Sequence, residues 1–289
     1  MDIRALGMGI AFSFMWASAF TSARIIVADA APIHALAIRF LISGLLGVAI
    51  ARSLGQAWPA SRMQWRAIAV FGLCQNAAYL GLNFVAMQWV EASLATIIAS
   101  SLPLLVAAAL WIFWRERPGF VGLLGLFAGF AGVALIMGTR LNAGVDPLGV
   151  GLCGIGALAL TLATLSVRGA STGGGVLMAV GLQMLVGSAI LFVLAGFLET
   201  PRVDPSWRLL AAFIYTILVP GLLATWVWFM LVHRIGETRA ATFHFLNPVF
   251  GVAVAAMLLG ERLGVWDLVG VVIVTGAILA VQLSRQSRA

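Results

Sequence analysis

Ten apolar runs of about 20 residues follow one another along the chain, and almost every charge falls between them. A helix rises about 1.5 Å per residue, so a run of this length crosses roughly 30 Å of hydrocarbon. The sequence predicts spans over residues 5–27, 33–52, 66–88, 93–114, 119–138, 147–168, 174–197, 208–231, 239–259 and 264–283. Charges or turn residues mark the breaks: Asp29 to Pro32, Gly55 to Arg62, Glu91, Arg115 to Pro118, Asn142 to Pro147, Gly173 to Gly175, Glu199 to Pro205, Gly236-Glu237 and Gly260 to Arg262. Only 9% of the residues are charged and 62% are hydrophobic, too few charges to cover a water-facing surface. The expected fold class is therefore all-α integral membrane, with ten transmembrane helices. Ala17-Ser18-Ala19 imitates a signal-peptidase site, but the run continues to Val27, so this segment is expected to remain as a span.

The net charge of +7 comes from 17 arginines and no lysine, scattered between the apolar runs. They serve as topology markers, and no nucleic-acid partner is expected. With the N-terminus inside, Arg4, Arg52, Arg62, Arg66, Arg115, Arg117, Arg168, Arg234, Arg239, Arg285 and Arg288 face the cytoplasm, eleven in all. Arg140, Arg202, Arg208 and Arg262 face the other side, which is four. This bias predicts that both termini are cytoplasmic. Trp58, Trp65, Trp89, Trp111, Trp114, Trp207 and Trp266 sit near span ends, as an interfacial aromatic belt requires, whereas Trp16, Trp226 and Trp228 lie deeper. Cys74 and Cys153 lie inside apolar runs without a CxxC or histidine partner, so they are expected to be small buried apolar residues, with no disulfide framework, metal or cofactor.

Shifting the sequence by 145 residues brings Pro103 onto Pro248, Glu116-Arg117 onto Glu261-Arg262, Gly119 onto Gly264, Gly125 onto Gly270 and Arg140 onto Arg285. This divides the chain into residues 1–144 and 145–289, each with five spans, in one membrane domain. An odd number of spans makes the second half enter from the opposite side, giving two inverted five-helix repeats. Inverted repeats are a transporter architecture, with the substrate site near the midplane where the halves meet.

The stretch Asn247-Pro248, Leu258 to Leu263 and Gly270, with its partner Pro103, Arg115 to Arg117 and Gly125, resembles the EamA-type repeat of the drug/metabolite transporter superfamily. Trp16 to Phe20 and Arg39-Phe40 are also similar to that family, and the chain as a whole resembles the YddG-type amino-acid exporters. The resemblance implies a ten-helix fold, efflux from the cytoplasm and alternating access.

Each proline of the repeat is placed mid-helix, where it removes a backbone hydrogen bond and makes a kink or a hinge, so Pro103 and Pro248 are the hinge candidates. Each glutamate, Glu116 and Glu261, precedes a helix start and is expected to cap it. Gly122, Gly125, Gly129 and Gly132 recur at spacings of 3 and 4, which predicts close helix packing.

Polar groups at membrane depth are costly unless paired or wetted, so they are the candidate substrate-binding residues. The third span carries Asn76, Tyr79 and Asn83 on one face, beside Gln75; the fourth carries Thr96, Ser100 and Pro103; the sixth carries Thr161, Thr164 and Arg168; the ninth carries His244, Asn247 and Pro248; the first carries Ser13, Trp16 and Phe20. These stripes are expected to converge on one central, partly aqueous cavity. The hydroxyls of Thr96, Ser100, Thr161 and Thr164 have a simpler alternative in bonding the carbonyl one turn back. The 145-residue shift places Trp228 on Asn83, which favours Trp228 over Trp226. Arg24 and Arg39 are expected to pair with Asp29 or to snorkel to the interface, with contact to a substrate carboxylate as the alternative.

No Asp, Glu or Lys lies mid-span, which argues against cationic substrates. The expected function is export of neutral, aromatic or apolar amino acids by a monomeric carrier, gradient-driven, in an inner membrane and embedded in lipid. A proton-coupled antiporter of other metabolites or drugs, with His244 as its proton-binding group, is the alternative. An intramembrane enzyme would need a nucleophile near His244, such as Ser100 or Ser101, and the sequence carries no catalytic motif.

Overall fold

The computed structural model describes residues 2–166 and 175–286. Among these residues, ten helices are long and apolar enough to cross a membrane: α1 (Ile3–Asp29), α2 (Pro32–Ser53), α3 (Arg62–Ala86), α4 (Ala92–Trp114), α5 (Phe120–Asn142), α6 (Pro147–Ser166), α7 (Val176–Leu198), α8 (Trp207–Ile235), α9 (Arg239–Leu259) and α10 (Val265–Ser284). Arg168, Gly173, Gly174 and Arg288 lie outside the described residues. Large apolar side chains point outward from the helices: Phe197 is 85% exposed and Met257 83%, which only a lipid solvent tolerates on this scale. Trp65, Trp114, Trp207 and Trp266 are exposed at helix ends, and Trp58 and Trp89 in the connections beside them.

Local structure recurs at the 145-residue offset. The first α-helical part of α3, Arg62–Phe71, corresponds to Trp207–Thr216 of α8. Each is capped by a serine: Ser61 Oγ accepts from Gln64 N at 3.1 Å, and Ser206 Oγ from Leu209 N at 3.0 Å. Each then widens into a π-helical stretch, Gly72–Leu80 in α3 and Ile217–Leu223 in α8. In α8 Pro220 lies inside that stretch and lacks an N–H, which disrupts the ordinary ladder. The second part of α4, Leu102–Trp114, corresponds to Asn247–Leu259 of α9.

The repeat prolines are not mid-helix. A turn at Ser101 interrupts α4, and a 3₁₀ turn over Phe243–Leu246 interrupts α9. Pro103 and Pro248 therefore stand in the first turn of a new helical segment, where the missing N–H has no partner to lose. Both segments end in the left-handed region, Arg115 at φ 58° and Gly260 at φ 68°. Glycine adopts this conformation freely; arginine pays a steric cost there.

The helices group into two compact units, and each unit draws on both halves of the sequence. The first comprises Met1–Thr21, Trp89–Gly154 and Leu223–Ala289. In it the glycine stripe of α5 lies against α10. A Cβ on Gly122 would stand 2.7 Å from Ser284 Oγ, and one on Gly125 3.0 Å from the Ala277 carbonyl, so any side chain there would make a neighbour shift. Leu104, Leu126, Val274 and Ile278 fill the adjoining core. Gly251 of α9 likewise leaves room for the Thr96 side chain of α4. The Glu261 cap falls on another helix than the sequence suggests. Its carboxylate accepts from Ala92 N and Ser93 N, at the start of α4 rather than α10. The start of α10 is served by Asp267, which accepts from Gly264 N at 2.8 Å. Arg140 joins Asp267 through Nε at 3.0 Å and reaches Glu91 at 2.6 Å.

The second unit comprises Ser22–Gln88 and Ile155–Leu222. Here α2 lies along α7: a Cβ on Gly47 would stand 3.2 Å from Gly181 Cα, and Ser188 Oγ donates to the Ala37 carbonyl at 2.8 Å. Glu199, at the end of α7, accepts from Ile33 N at 3.0 Å and His34 N at 3.1 Å, capping α2. Arg24 donates to the Met87 carbonyl rather than to Asp29, whose carboxylate accepts from Ser206 Oγ at 2.8 Å. Both cysteines are free; Cys153 is buried, while Cys74 is half-buried rather than enclosed.

Candidate substrate site

In the first unit, four rings from three helices meet. Phe12 and Trp16 are one turn apart on α1, with centroids 5.8 Å apart. The α8 ring of Trp228 lies 4.7 Å from Phe12, and the His244 imidazole of α9 lies 5.3 Å from both Phe12 and Trp228. Trp16 and His244 meet edge to face at 6.3 Å. Ser13 Oγ donates to the Phe243 carbonyl at 2.7 Å and ties α1 to the interrupted part of α9. Trp226, two residues from Trp228, is 57% exposed and points away from this group. Sequence reasoning missed Phe12, although its spacing of four from Trp16 puts the two on one face.

Asn247 stands one turn beyond His244, with Asn247 Nδ2 3.0 Å from His244 Nδ1. With the amide donating, the ring accepts at Nδ1 and carries its proton on Nε2. Asn247 Oδ1 is buried without a partner, which leaves an acceptor beside the rings. On α4, Thr96 Oγ1 donates to the Ala92 carbonyl and Ser100 Oγ to the Thr96 carbonyl, both at 2.7 Å. These hydroxyl protons are engaged one turn back, so the oxygens offer lone pairs only.

In the second unit Asn76, Tyr79 and Asn83 are all buried. They do not form the single face that α-helical spacing suggests. The π-helical stretch holds more residues per turn, so the stripe drifts around the axis. Asn76 lies against Gly187 of α7, whereas the Asn83 amide lies against Gly156 of α6. Asn83 Nδ2 donates to the Tyr79 carbonyl at 2.8 Å, leaving Asn83 Oδ1 and Asn76 Nδ2 enclosed without partners. On α6, Thr161 and Thr164 donate to the Ala157 and Leu160 carbonyls, each at 2.8 Å.

The EamA-like transporter family model matches twice, over residues 3–138 and 147–283. The chain belongs to the EamA-like transporter family. A WAT1-related chloroplastic protein of Arabidopsis thaliana is 26% identical over 93% of this chain and 67% of its own length. The EamA chain is also similar to the uncharacterized transporter YvbV of Bacillus subtilis, 25% identical over 95% of this chain and 90% of that one. The uncharacterized inner membrane transporter YedA of Escherichia coli is 24% identical over 96% and 90%. One solved crystal structure shares the fold with a TM-score of 0.71 at 18% identity, covering 100% of both chains. As an EamA-family protein with ten apolar helices, the chain is a multi-pass membrane transporter of small metabolites.

Proposed function

We propose that this transporter exports neutral amino acids, aromatic or apolar, from the cytoplasm across the inner membrane, as a gradient-driven monomeric carrier working by alternating access. The carrying observation is the ring group of Phe12, Trp16, Trp228 and His244, with the Asn247 oxygen beside it. Aromatic faces accept an apolar side chain, and an amide oxygen accepts an ammonium N–H. No carboxylate sits mid-helix to hold a bare cation, and the sequence has no lysine. Within the first unit, Thr96 and Ser100 contribute further polar contacts, and Asn76, Tyr79, Asn83, Thr161 and Thr164 are the substrate-binding candidates of the second.

The recurrence of element boundaries at an offset of 145 supports two repeats, 1–144 and 145–289, of opposite orientation. The interruptions at Pro103 and Pro248 are the hinges in this reading, because neither helix carries a continuous ladder there. The arginine bias supports cytoplasmic termini, and the YedA relative supports an inner-membrane setting.

A toxic amino-acid analogue tests the export. Cells producing the protein should tolerate several-fold more p-fluorophenylalanine than cells producing a Trp228→Ala variant at equal membrane level. Equal tolerance would count against the assignment.

A further inference from the structure

Arg39 stands seven residues inside α2, about 10 Å from its start. It neither pairs with Asp29 nor snorkels: only 5% of the residue is exposed, and its Nε is enclosed without a partner. The guanidinium lies 5.2 Å from the Phe40 ring centroid, which supports a cation weakly. The acidic side chains of this unit are committed elsewhere, Asp29 to Ser206, Glu199 to the start of α2 and Asp204 to Arg202. Among the described residues, then, a buried cation has no counter-charge, an arrangement that is strongly unfavourable unless an anion arrives.

Ser43 follows Arg39 by one turn and faces the same way. Its Oγ is also buried without a partner. Over it passes the π-helical stretch of α8, where Gly221 contributes no side chain; a Cβ there would stand 3.6 Å from Ser43 Oγ. A guanidinium fork and a hydroxyl donor one turn apart, beneath a glycine, match the planar acceptor of a carboxylate.

We infer that Arg39 and Ser43 form a carboxylate-binding site, which selects for metabolites bearing an acid group. Only the identity of the acid as an amino acid rests on the function proposed above. A carboxylate bound here completes the charge balance of the helix interior, and a cationic solute without one is repelled.

Ligand-dependent thermal shifts of the purified full-length protein at pH 6 test this with L-phenylalanine and L-phenylalaninamide, which differ only at the carboxyl group. The wild type should bind the acid at least about tenfold more tightly than the amide. Arg39→Gln should abolish that preference, and Arg39→Lys should retain part of it. Because the unliganded guanidinium lacks a counter-charge, Arg39→Gln should leave the ligand-free melting temperature unchanged or raised. A structural role would lower it, and that result overturns the site. If Arg39→Gln does not accumulate, Ser43→Ala carries the test, with the preference expected to fall about threefold. An absent preference in the wild type, or an unchanged one in the variant tested, overturns the inference. A preference that depends on Arg39 in a protein without amino-acid counterflow keeps this site and removes the transport reading.

Discussion

Glu261 Oε1 accepts the backbone N–H of Ala92 at 2.8 Å, closing the start of a helix that lies 169 residues earlier in the chain. The second oxygen takes Ser93 N at 3.0 Å. Two N–H groups of α4 that would otherwise lack partners are satisfied by one carboxylate, whose charge also suits the positive end of the helix dipole.

Glu261→Ala should therefore destabilise the protein by about 1–2 kcal/mol, and Glu261→Gln by roughly half of that. Unfolding in mixed micelles checks it. An unchanged Glu261→Ala protein would show that the cap contributes nothing.

The ion group around Arg140 is unequal. Asp267 is nearly enclosed and meets Arg140 through two nitrogens, at 3.0 and 2.9 Å, whereas the Glu91 side chain is 38% exposed. Asp267→Asn should cost about 3 kcal/mol, because it leaves Arg140 half-compensated, and Glu91→Gln less than about 1 kcal/mol. Burial raises the Glu91 carboxyl above its usual value, against the opposing pull of Arg140. The folded protein thus binds this proton more tightly than the unfolded chain. Stability from this group rises as pH falls from neutral toward 4.5 and is lost as pH rises through the raised value. In Glu91→Gln that part of the pH dependence should vanish, as pH-resolved unfolding would show.

Arg115 ends its helix at φ 58°, where Gly260 ends the corresponding one at φ 68°. Arg115→Gly should stabilise the fold by about 0.5–1 kcal/mol by removing the left-handed penalty. A lower melting temperature would mean that the side chain holds the loop in another way.

The spans were legible because apolar length and charge placement follow directly from the thickness of a bilayer. The 145-residue shift sets Trp228 on Asn83, and Trp228 lies in the ring group while Trp226 is exposed. The interruption at Ser101 was not, because a proline in the first turn of a helix and one inside it look alike in sequence. The drift of Asn76 away from Asn83 depends on a π-helical stretch that an α-helical wheel cannot express. Glu261 on Ala92 and the isolation of Arg39 depend on tertiary neighbours, which no local spacing encodes.

His244 is the titratable side chain within the ring group, and its Nδ1 meets a neutral amide rather than a carboxylate. An imposed pH gradient without a substrate gradient should therefore fail to concentrate substrate in liposomes. Uphill accumulation that His244→Gln removes, with counterflow left intact, would make the protein a proton-coupled antiporter instead.

Counterflow of labelled L-phenylalanine into liposomes preloaded with unlabelled phenylalanine tests export by this carrier most directly. Saturable counterflow is expected, reduced about tenfold or less by Trp228→Ala, with little flux of lysine or of quaternary ammonium compounds. No counterflow of any neutral amino acid, or robust flux of a quaternary ammonium compound, would contradict it.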